Sequence, residues 1–473
     1  MQFSDVDRLS PGDPQQIAAD LYARFLEVFG READGVWFAP GRANINGEHI
    51  DFHSGRCLPM ALSHGTYAAA AARDDGILRL RTLDPALDDG VHTIRLCDVA
   101  PEGAPNRVTD GGSCTLEAAP SWTRYVAGTA WALAALGREH PELAPAEGFG
   151  ADLLIVSTLP IGGGLSSSAA LECATALAVI ALGTPLGAQH GGATLDAALT
   201  DELRAKVASA CMRAEVEIVG AGTGGLDQTV SLRGLAGDVL SLDCRDFSVD
   251  WLPAQRLLED FVFLAVDTRQ AHWLGDGQFD DRRADSEAAA DVLGVEQLRY
   301  ALSAQACAAD VPRVLALFDG RTAGLPQVAG RPRAAVRRRL RHALTEMVRS
   351  EELAEILADK ASDAHVAAED VAGMIGQIMY DGHASMRDLA EVSFPAANTI
   401  VEAAVRHGAP GGRLIGGGFG GSVLLLSRRD DVAALEAAVA RACAEAGHRR
   451  PRFLEVAPSA GARTVALPSV AVR

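Results

Sequence analysis

The sequence predicts an α+β fold built from two domains. The chain has 473 residues, of which 48% are hydrophobic, and this is more length than one compact core usually organises. Residues 14–29 carry apolar side chains four positions apart, which indicates an amphipathic helix with Pro14 in its first turn. Residues 77–96 alternate between apolar and polar side chains, which is typical of strands.

The rest of the chain continues this mixture of helices and strands. Helices are predicted at residues 121–136, 201–219 and 334–406, strands at 151–157, 238–242 and 261–267, and loops at 101–120, 184–200 and 318–333. The segment 184–200 is expected to be a flexible insertion. We place the domain break near residues 235–255 and divide the chain into domains 1–240 and 241–473.

Composition excludes several classes of function. The formal net charge is −19, so the chain lacks the positive surface that DNA or RNA binding requires. Eight scattered cysteines form no CxxC pair, which suits free thiols in a reducing compartment. The polar N-terminus does not resemble a signal peptide, and no run of 18 apolar residues occurs. We expect a monomeric, cytoplasmic protein without nucleic-acid or membrane partners.

A glycine- and serine-rich loop follows the predicted strand 151–157 and precedes an alanine-rich helix. Its glycines allow close approach to a ligand, and the first turn of the helix offers unpaired N–H groups to an anion. A glycine-rich turn with a serine cap is the alternative, and the loop lacks the lysine of a Walker A motif. The candidate nucleotide-binding residues are Gly162, Gly163, Gly164, Leu165, Ser166, Ser167 and Ser168.

A second segment, residues 39–51, collects polar groups within a short stretch. It contains Arg42, Glu48, His49 and Asp51. Because glycines at positions 41 and 47 interrupt regular structure, we predict a loop, whose carboxylates and imidazole suit the hydroxyl groups of a sugar. The alternatives are a solvated loop and a zinc site that uses two histidines, although no further ligand has suitable spacing.

Two more glycine-rich segments occur later in the chain. Asp227 directly follows a glycine-rich bend and is a candidate general base, while Glu215 on the preceding helix is a candidate Mg²⁺ ligand. Five of the six residues 416–421 are glycine. Such a segment is expected to approach a ligand or another loop closely. A tight turn between domains is the alternative for residues 416–421.

These segments, in this order, resemble the GHMP small-molecule kinases, and within them the galactokinases. PGRANINGEHIDF resembles the galactokinase signature, LPIGGGLSSSAALE the GHMP phosphate loop, and RLIGGGFGGS the third GHMP motif. The resemblance extends from about Phe38 to Leu426. It implies the two-domain GHMP kinase fold with the active site in the inter-domain cleft. It also implies ATP and Mg²⁺ as cofactors and phosphorylation of the anomeric C1 hydroxyl of a sugar.

The resemblance also implies residue roles. Asp227 would be the base, with Arg42 beside the reacting oxygen. The loop residues 162–168 would bind the nucleotide, and Ser168 (or Ser167) with Glu215 would bind Mg²⁺. The residues implied to face the sugar are Arg42, Glu48, His49, Asp51, Gly224, Asp227 and Phe279.

Four positions depart from the usual galactokinase sequence and leave the choice of sugar open. Asn46 replaces an apolar residue, Ile50 a threonine and Phe52 a tyrosine, while Phe279 stands where a sugar-binding tyrosine is usual. The GEHID and AGTGGLDQ segments and Phe279 resemble the N-acetylgalactosamine kinase branch, so galactose and N-acetylgalactosamine are both considered. A non-catalytic sugar- and ATP-binding regulator is a third interpretation, whereas GEHID and EVSFP argue against other GHMP branches.

Overall fold

The computed structural model describes residues 6–87, 90–101, 115–270 and 277–467. Most of the described chain belongs to two β-sheets and the helices packed on them. The strands are β1 Asp7–Arg8, β2 Gly35–Asn46, β3 Arg56–Arg73, β4 Ile77–Thr82, β5 His92–Arg95, β6 Gly150–Ser157, β7 Asp238–Asp243, β8 Ser248–Pro253, β9 Phe261–Asp267, β10 Gln327–Val328, β11 Arg331–Pro332, β12 Gly411–Ile415, β13 Ser422–Arg428, β14 Arg452–Val456 and β15 Arg463–Thr464.

The helices are spread along the whole of the described chain. They are α1 Pro14–Phe29, α2 Thr115–Ala118, α3 Trp122–Leu136, α4 Ser167–Gly183, α5 Pro185–Gln189, α6 Ala193–Ala198, α7 Asp201–Ala214, α8 Leu226–Arg233, α9 Leu257–Asp260, α10 Gln278–Leu293, α11 Asp310–Arg321, α12 Arg333–Glu355, α13 Ala368–Ser385, α14 Pro395–His407 and α15 Val432–Glu445. Three of them continue into π-helical turns, at Glu215–Val219, Ile356–Lys360 and Met386–Ala390. Short 3₁₀ turns lie at Asp51–His53, Leu96–Asp98, Pro141–Leu143 and Leu298–Ala301.

The predicted helix 14–29 is confirmed, with local signals at both ends. The side chain of Asp13 accepts hydrogen bonds from the first backbone N–H groups, and Pro14 occupies the first turn. Gly30 ends the helix with a φ of 70°, a conformation that glycine adopts without strain. Leu21 and Phe25 are buried, so the predicted apolar face packs on the protein core.

The first sheet has the strand order β15-β2-β3-β6-β4-β5, and β7 and β8 extend it from the start of β3. The long strand β3 is antiparallel to β2, β6 and β7. Its alanines allow α4 to pack closely: Ala68 and Ala70 share a core with Ala174 and Leu177 of that helix. This packing holds β2 and the beginning of α4 next to each other.

The second sheet has the order β1-β14-β9-β13-β12. The central strand β9 is buried on both faces because its alternate side chains enter different cores. Leu264 and Val266 pack with residues of α14 and α15. Phe263 and Ala265 pack with Ile45 and other residues of the first half of the chain. The two sheets are therefore joined through a shared apolar core.

The predicted domains 1–240 and 241–473 correspond only roughly to the two sheets. Each sheet includes a short strand from the opposite end of the chain, since β1 pairs with β14 and β15 pairs with β2. The division between residues 240 and 241 falls inside β7. The exact domain division stays a prediction.

Several other predictions can be compared with the structure. The helical segments 121–136, 201–219 and 334–406 and the strands near 151, 238 and 261 are confirmed. The insertion at 184–200 is wrong as a loop, because Thr184 caps α5 and α6 follows. The segment 318–333 contains the end of α11 and the β10–β11 hairpin. Most of the predicted loop 101–120 lies outside the described residues.

Candidate active site

One cavity of about 280 Å³ brings together the segments that the sequence analysis selected. It lies where β2, the loop before α4, the start of α8 and the β12–β13 loop meet. The predicted site residues that line it are Arg42, Glu48, His49, Asp51, Gly162, Gly164, Ser166, Ser167, Ser168, Glu215, Gly224, Asp227 and Phe279. Gly163 and Leu165 do not line it. The side chain of Leu165 instead packs in the core that joins the two sheets.

The prediction that residues 39–51 form a loop is wrong for its first part. β2 continues to Asn46, and Arg42 is therefore carried by a strand. Gly41 does not form a turn. Glycine is needed here because an added Cβ atom would stand 2.3 Å from the carbonyl oxygen of Leu165. The N–H of Arg42 donates to the same oxygen at 3.2 Å. The glycine thus lets β2 touch the predicted phosphate loop.

The predicted phosphate loop has the backbone of an anion-binding turn. Gly162, Gly164 and Ser166 have φ values of 69°, 71° and 59°. Ser166 precedes the first turn of α4, yet its side chain makes no capping bond there. A serine cap therefore does not account for this loop. The N–H groups of the first turn and the positive end of the helix dipole are available to an anion at the cavity wall.

The third glycine cluster packs directly on this loop. An added Cβ at Gly416 would stand 3.0 Å from the carbonyl oxygen of Gly164. The hydroxyl group of Ser422 donates to the carbonyl oxygen of Gly163 at 2.6 Å. The predicted close approach of residues 416–421 to another loop is confirmed, and its partner is the loop before α4.

Asp227 lies in the first turn of α8 and is held by three donors. Arg42 Nε donates to Asp227 Oδ1 at 2.7 Å, and Nη2 donates to Oδ2 at 3.1 Å. The hydroxyl group of Ser166 also donates to Oδ2. The remaining arm of the guanidinium, Nη1, donates to the carbonyl oxygen of Gly164 at 2.8 Å. Arg42 thereby connects the candidate base to the phosphate loop through charge-assisted hydrogen bonds.

Asp51 lies against the glycine-rich bend that precedes Asp227. An added Cβ at Gly224 would stand 2.0 Å from Asp51 Oδ2, so a side chain at this position would displace the carboxyl group. Burial and the nearby charge of Asp227 raise the pKa of Asp51 to about 6. Above that pH the carboxylate is a hydrogen-bond acceptor at the cavity wall.

Glu48 lines the cavity from a more buried position. Glu48 is 3% exposed, and its Oε2 accepts a hydrogen bond from Arg413 Nη2 at 3.0 Å. Burial raises the pKa of Glu48 to about 7 despite that positive neighbour. The neighbouring His49 adopts a φ of 61°, and its Nε2 lies 3.0 Å from the carbonyl oxygen of Gly417.

Glu215 belongs to a polar cluster that the sequence analysis only partly detected. Ser168 hydrogen-bonds to it, and burial together with the charge of Asp227 raises the pKa of Glu215 to about 7. Gln228 Nε2 donates to Glu215 Oε2 at 2.6 Å and to Glu172 Oε2 at 3.0 Å. A signal for Glu172 was present, because it is a charged residue inside an otherwise apolar helix.

This cluster fits a magnesium ion held together with a nucleotide. Ser168 and Glu215 provide oxygen ligands, which Mg²⁺ prefers. Buried polar atoms also remain nearby, since Glu172 Oε1 and Gln228 Oε1 have no hydrogen-bond partner. Within the described ranges, no three His, Cys, Asp or Glu side chains are grouped to hold a metal ion by themselves. Nucleotide oxygens would complete such a site.

The zinc alternative finds no support among the described residues, and an aromatic group lies there instead. His53 Nε2 forms a hydrogen bond with the hydroxyl group of Ser286 at 2.7 Å, whereas His49 Nε2 lies 3.0 Å from the carbonyl oxygen of Gly417. The two imidazoles therefore have separate partners and do not share a ligand. The ring of Phe279 lies 5.1 Å from that of His49 and 6.0 Å from that of Phe52, centroid to centroid. An apolar aromatic face therefore borders the cavity beside the polar groups.

The cavity also has lining residues to which the sequence analysis assigned no role. They are Asn44, Gly47, Tyr125, Gly222, Thr223, Leu226, Gly416 and Gly417. Most belong to the selected segments, so their position follows from those motifs. Tyr125 on α3 is distant in sequence from them, and no local sequence pattern indicates a role for it.

Comparisons with known proteins agree with this site. The model of the galactokinase galactose-binding signature matches residues 23–72, and the GHMP kinase N-terminal and C-terminal models match residues 124–235 and 367–445. Galactokinase from Streptomyces coelicolor is 38% identical over 95% of this chain and 99% of its own length. The Bos taurus galactokinase is 32% identical over 87% of this chain and 89% of its own. The chain belongs to the galactokinase family of GHMP kinases.

The fold agrees with this family assignment. A Lactococcus lactis galactokinase structure determined with galactose has a TM-score of 0.71, with 24% identity over 94% of this chain and 99% of that chain. The Methanococcus jannaschii mevalonate kinase has a TM-score of 0.52, with 16% identity over 89% of this chain and 98% of that one. The two-domain α+β GHMP kinase fold expected from the resemblance is thus confirmed.

Membership in the galactokinase family establishes the reaction class. The chain is a galactokinase-type sugar kinase that uses ATP as its phosphate donor and a small-molecule sugar as acceptor. In the part of the chain that the structure describes, no helix combines the length and apolar character needed to cross a membrane.

Proposed function

We propose that this kinase transfers the γ-phosphate of ATP to the anomeric C1 hydroxyl group of galactose, with Asp227 as the base. The observation that carries the proposal is the position of Arg42, whose guanidinium binds both Asp227 and the carbonyl oxygen of Gly164. A sugar hydroxyl beside Asp227 would therefore face a phosphate held by the glycine loop. Phosphoryl transfer depends mainly on such alignment and on charge stabilisation.

Asp227 and Arg42 have complementary tasks in this mechanism. A carboxylate is a far weaker base than a sugar alkoxide, so Asp227 does not ionise the hydroxyl group beforehand. Proton transfer to Asp227 instead accompanies the transfer of the phosphoryl group. Arg42 stabilises the negative charge that develops near the reacting oxygen, because its guanidinium is a cation that donates hydrogen bonds.

The nucleotide side of the proposal assigns the triphosphate to the loop 162–168 and the start of α4. Ser168, or Ser167, and Glu215 would hold Mg²⁺, and Gln228 keeps the carboxylate of Glu215 in place. When bound, the ion neutralises charge on the phosphate oxygens. Hydroxyl and carboxylate ligands together with a helix N-terminus support this assignment.

The sugar side of the proposal assigns the hydroxyl groups of the sugar to Glu48, His49, Asp51 and the backbone at Gly224. N-acetylgalactosamine is a second candidate substrate. The specific observation in its favour is Phe279, whose ring borders the cavity beside His49 and offers no hydroxyl group. An apolar wall can pack against the methyl group of the N-acetyl substituent. It offers no hydrogen bond to a sugar hydroxyl, and a buried hydroxyl without a partner lowers affinity.

The direct test of the substrate is a comparison of ADP release with galactose, N-acetylgalactosamine, glucose and arabinose, each with and without Mg²⁺. The proposal expects the highest kcat/KM with galactose and loss of turnover when Mg²⁺ is chelated. A preference for N-acetylgalactosamine would select the second candidate. Negligible turnover with all four sugars would favour a regulator that binds sugar and ATP without catalysis.

We also propose that the protein is a monomer located in the cytoplasm. The seven described cysteines are free thiols, which supports a reducing compartment. The thiol of Cys244 donates to Cys57 Sγ at 3.9 Å, and the two cysteines do not form a disulfide. Light scattering at the concentration of the assay tests the monomeric state, and a mass near 99 kDa, about twice the 49.4 kDa chain, would contradict it.

A further inference from the structure

Both carboxylate oxygens of Glu48 are bound by the protein itself. Oε1 accepts a hydrogen bond from the backbone N–H of Gly416 at 3.1 Å, and Oε2 accepts one from Arg413 Nη2 at 3.0 Å. The donors lie on β12 and at the start of the glycine loop 416–421. The next residue, His49, contacts the carbonyl oxygen of Gly417. The predicted sugar-binding turn is therefore fastened to the glycine loop at two consecutive residues.

The guanidinium of Arg413 is a fixed anchor for Glu48. Arg413 is fully buried, and Nη2 also donates to Glu346 Oε1 at 2.7 Å. Nη1 donates to the side-chain oxygen of Asn46, whose own amide nitrogen donates to Ser350 Oγ at 2.8 Å. A cation with so many partners in a closely packed interior links Glu48 firmly to β12. A change in the order of the turn at Glu48 is therefore passed on to β12 and the glycine loop.

The glycine loop carries this connection on to the phosphate loop. Ser422, at the end of the glycine loop, donates to the carbonyl oxygen of Gly163 at 2.6 Å. Gly416 and Gly164 are so close that an added Cβ on the first would crowd the carbonyl oxygen of the second. Continuous contacts thus run from the turn at residues 47–51, through Glu48 and the glycine loop, to the loop at 162–168.

We propose that Glu48 is a positioning residue that couples the sugar site to the nucleotide site through the glycine loop 416–421. The inference rests on the proposed function, because it takes residues 47–51 as the sugar site and residues 162–168 as the nucleotide site. A sugar that orders the turn at Glu48 also orders the backbone of the phosphate loop, and so strengthens nucleotide binding. By linkage, ATP strengthens sugar binding by the same factor.

The charge environment of Glu48 makes this coupling dependent on pH. Burial raises its pKa to about 7, and the charge of Glu346 contributes, whereas Arg413 and Arg42 oppose the rise. The ionisable groups that surround Glu48 on other elements and on its own turn are Arg42, Cys57, Glu346, His342 and Arg413, with His49 and Asp51 beside it in sequence. Protonation places a hydrogen on one of the two oxygens of Glu48 and removes the charge that attracts Arg413, so the contacts with Gly416 and Arg413 weaken. Coupling therefore weakens as the pH falls below about 7.

The test measures the affinity for a non-hydrolysable ATP analogue with Mg²⁺, by calorimetry, with and without saturating galactose. At pH 8 the wild-type protein is expected to bind the analogue at least about fivefold more tightly when galactose is present. Glu48→Gln removes the charge, and Ser422→Ala removes the contact with Gly163. Each is expected to reduce the ratio to less than about twofold, because both interrupt the same path.

The matched control is Ser350→Ala, which removes a buried serine hydroxyl from the Arg413 network but leaves the glycine loop contacts intact. It is expected to keep the wild-type ratio. Ser422→Ala lies outside the sugar turn, so it stays informative if Glu48→Gln does not fold. A wild-type ratio near one, or an unchanged ratio in Ser422→Ala, would overturn the inference even if the enzyme releases ADP with galactose. Absence of ADP release in the wild type would overturn the proposed function, and the inference with it.

Discussion

At the scale of single residues, Asp227 is the side chain on which the proposed chemistry depends. Asp227→Asn keeps the size of the group but removes its capacity to take a proton, and it weakens the paired hydrogen bonds from Arg42. We expect kcat to fall by a factor of about 100 or more, the usual contribution of a general base. The Kd for ATP should change little, because the phosphate loop is intact.

Steady-state kinetics and calorimetry check this prediction, with Asp250→Asn as a control at an exposed position in β8. The control variant should match the wild type. If Asp227→Asn retained turnover near the wild-type value, Asp227 would not be the base.

Glu48 allows a prediction about stability at the same scale. Its pKa rises from 4.5 to about 7 on folding, so the folded state holds its proton more tightly than the unfolded state does. The stabilising effect of that proton is complete below the unfolded pKa and is lost as the pH rises through about 7. Glu48→Gln cannot titrate there. The free energy of unfolding of the wild type, minus that of Glu48→Gln, should fall by about 3 kcal/mol between pH 4.5 and pH 8.

Urea unfolding of both proteins at the two pH values measures this difference. Other carboxyl groups with raised pKa values, such as Asp51 and Glu215, remain in both proteins and cancel in the comparison. A difference that does not vary with pH would show that Glu48 has an ordinary pKa in the folded state.

At the scale of elements, the bend before α8 leaves room for the carboxyl group of Asp51 because residue 224 is a glycine. Gly224→Ala would place a methyl group 2.0 Å from Asp51 Oδ2 and force that carboxyl group to move. We expect KM for the sugar to rise roughly tenfold, equivalent to one lost hydrogen bond of about 1.4 kcal/mol. KM for ATP should stay close to the wild-type value.

Gly222→Ala is the matched control for this variant. The nearest atom to an added Cβ at Gly222 is Arg283 Nη1, at 4.0 Å, so the extra methyl group has room and should raise KM for the sugar much less. Equal effects of the two substitutions would show that the bend does not act through Asp51.

The same scale explains which elements could be predicted from sequence. α1 and the strand–loop–helix unit around residues 151–183 have strong local patterns, and both are confirmed. The part of β2 after Pro40 is predicted wrongly as a loop, because the glycines at positions 41 and 47 are typical of turns. Gly41 is required by a contact with Leu165, more than a hundred positions away, and local periodicity does not contain that information.

At the scale of the whole molecule, the site depends on contacts between distant parts of the chain. The motifs of residues 39–51, 160–168, 215–228 and 413–421 were predicted to belong together, and they line one cavity. The buried network of Arg413, Glu346 and Asn46 could not be predicted, because its hydrogen bonds join residues that are 67 to 367 positions apart. Sequence patterns selected the candidate reacting groups, whereas the contacts that hold them in place follow only from the fold.

The most direct test of the central claim is the position of the phosphate in the product. After incubation of the wild-type protein with galactose, ATP and Mg²⁺, the product is examined by ³¹P and ¹H nuclear magnetic resonance. We expect the phosphorus to couple to the anomeric proton, which identifies a sugar 1-phosphate, with one ADP released per sugar consumed. Phosphate on another hydroxyl group, or ADP release without a phosphorylated sugar, would contradict the account.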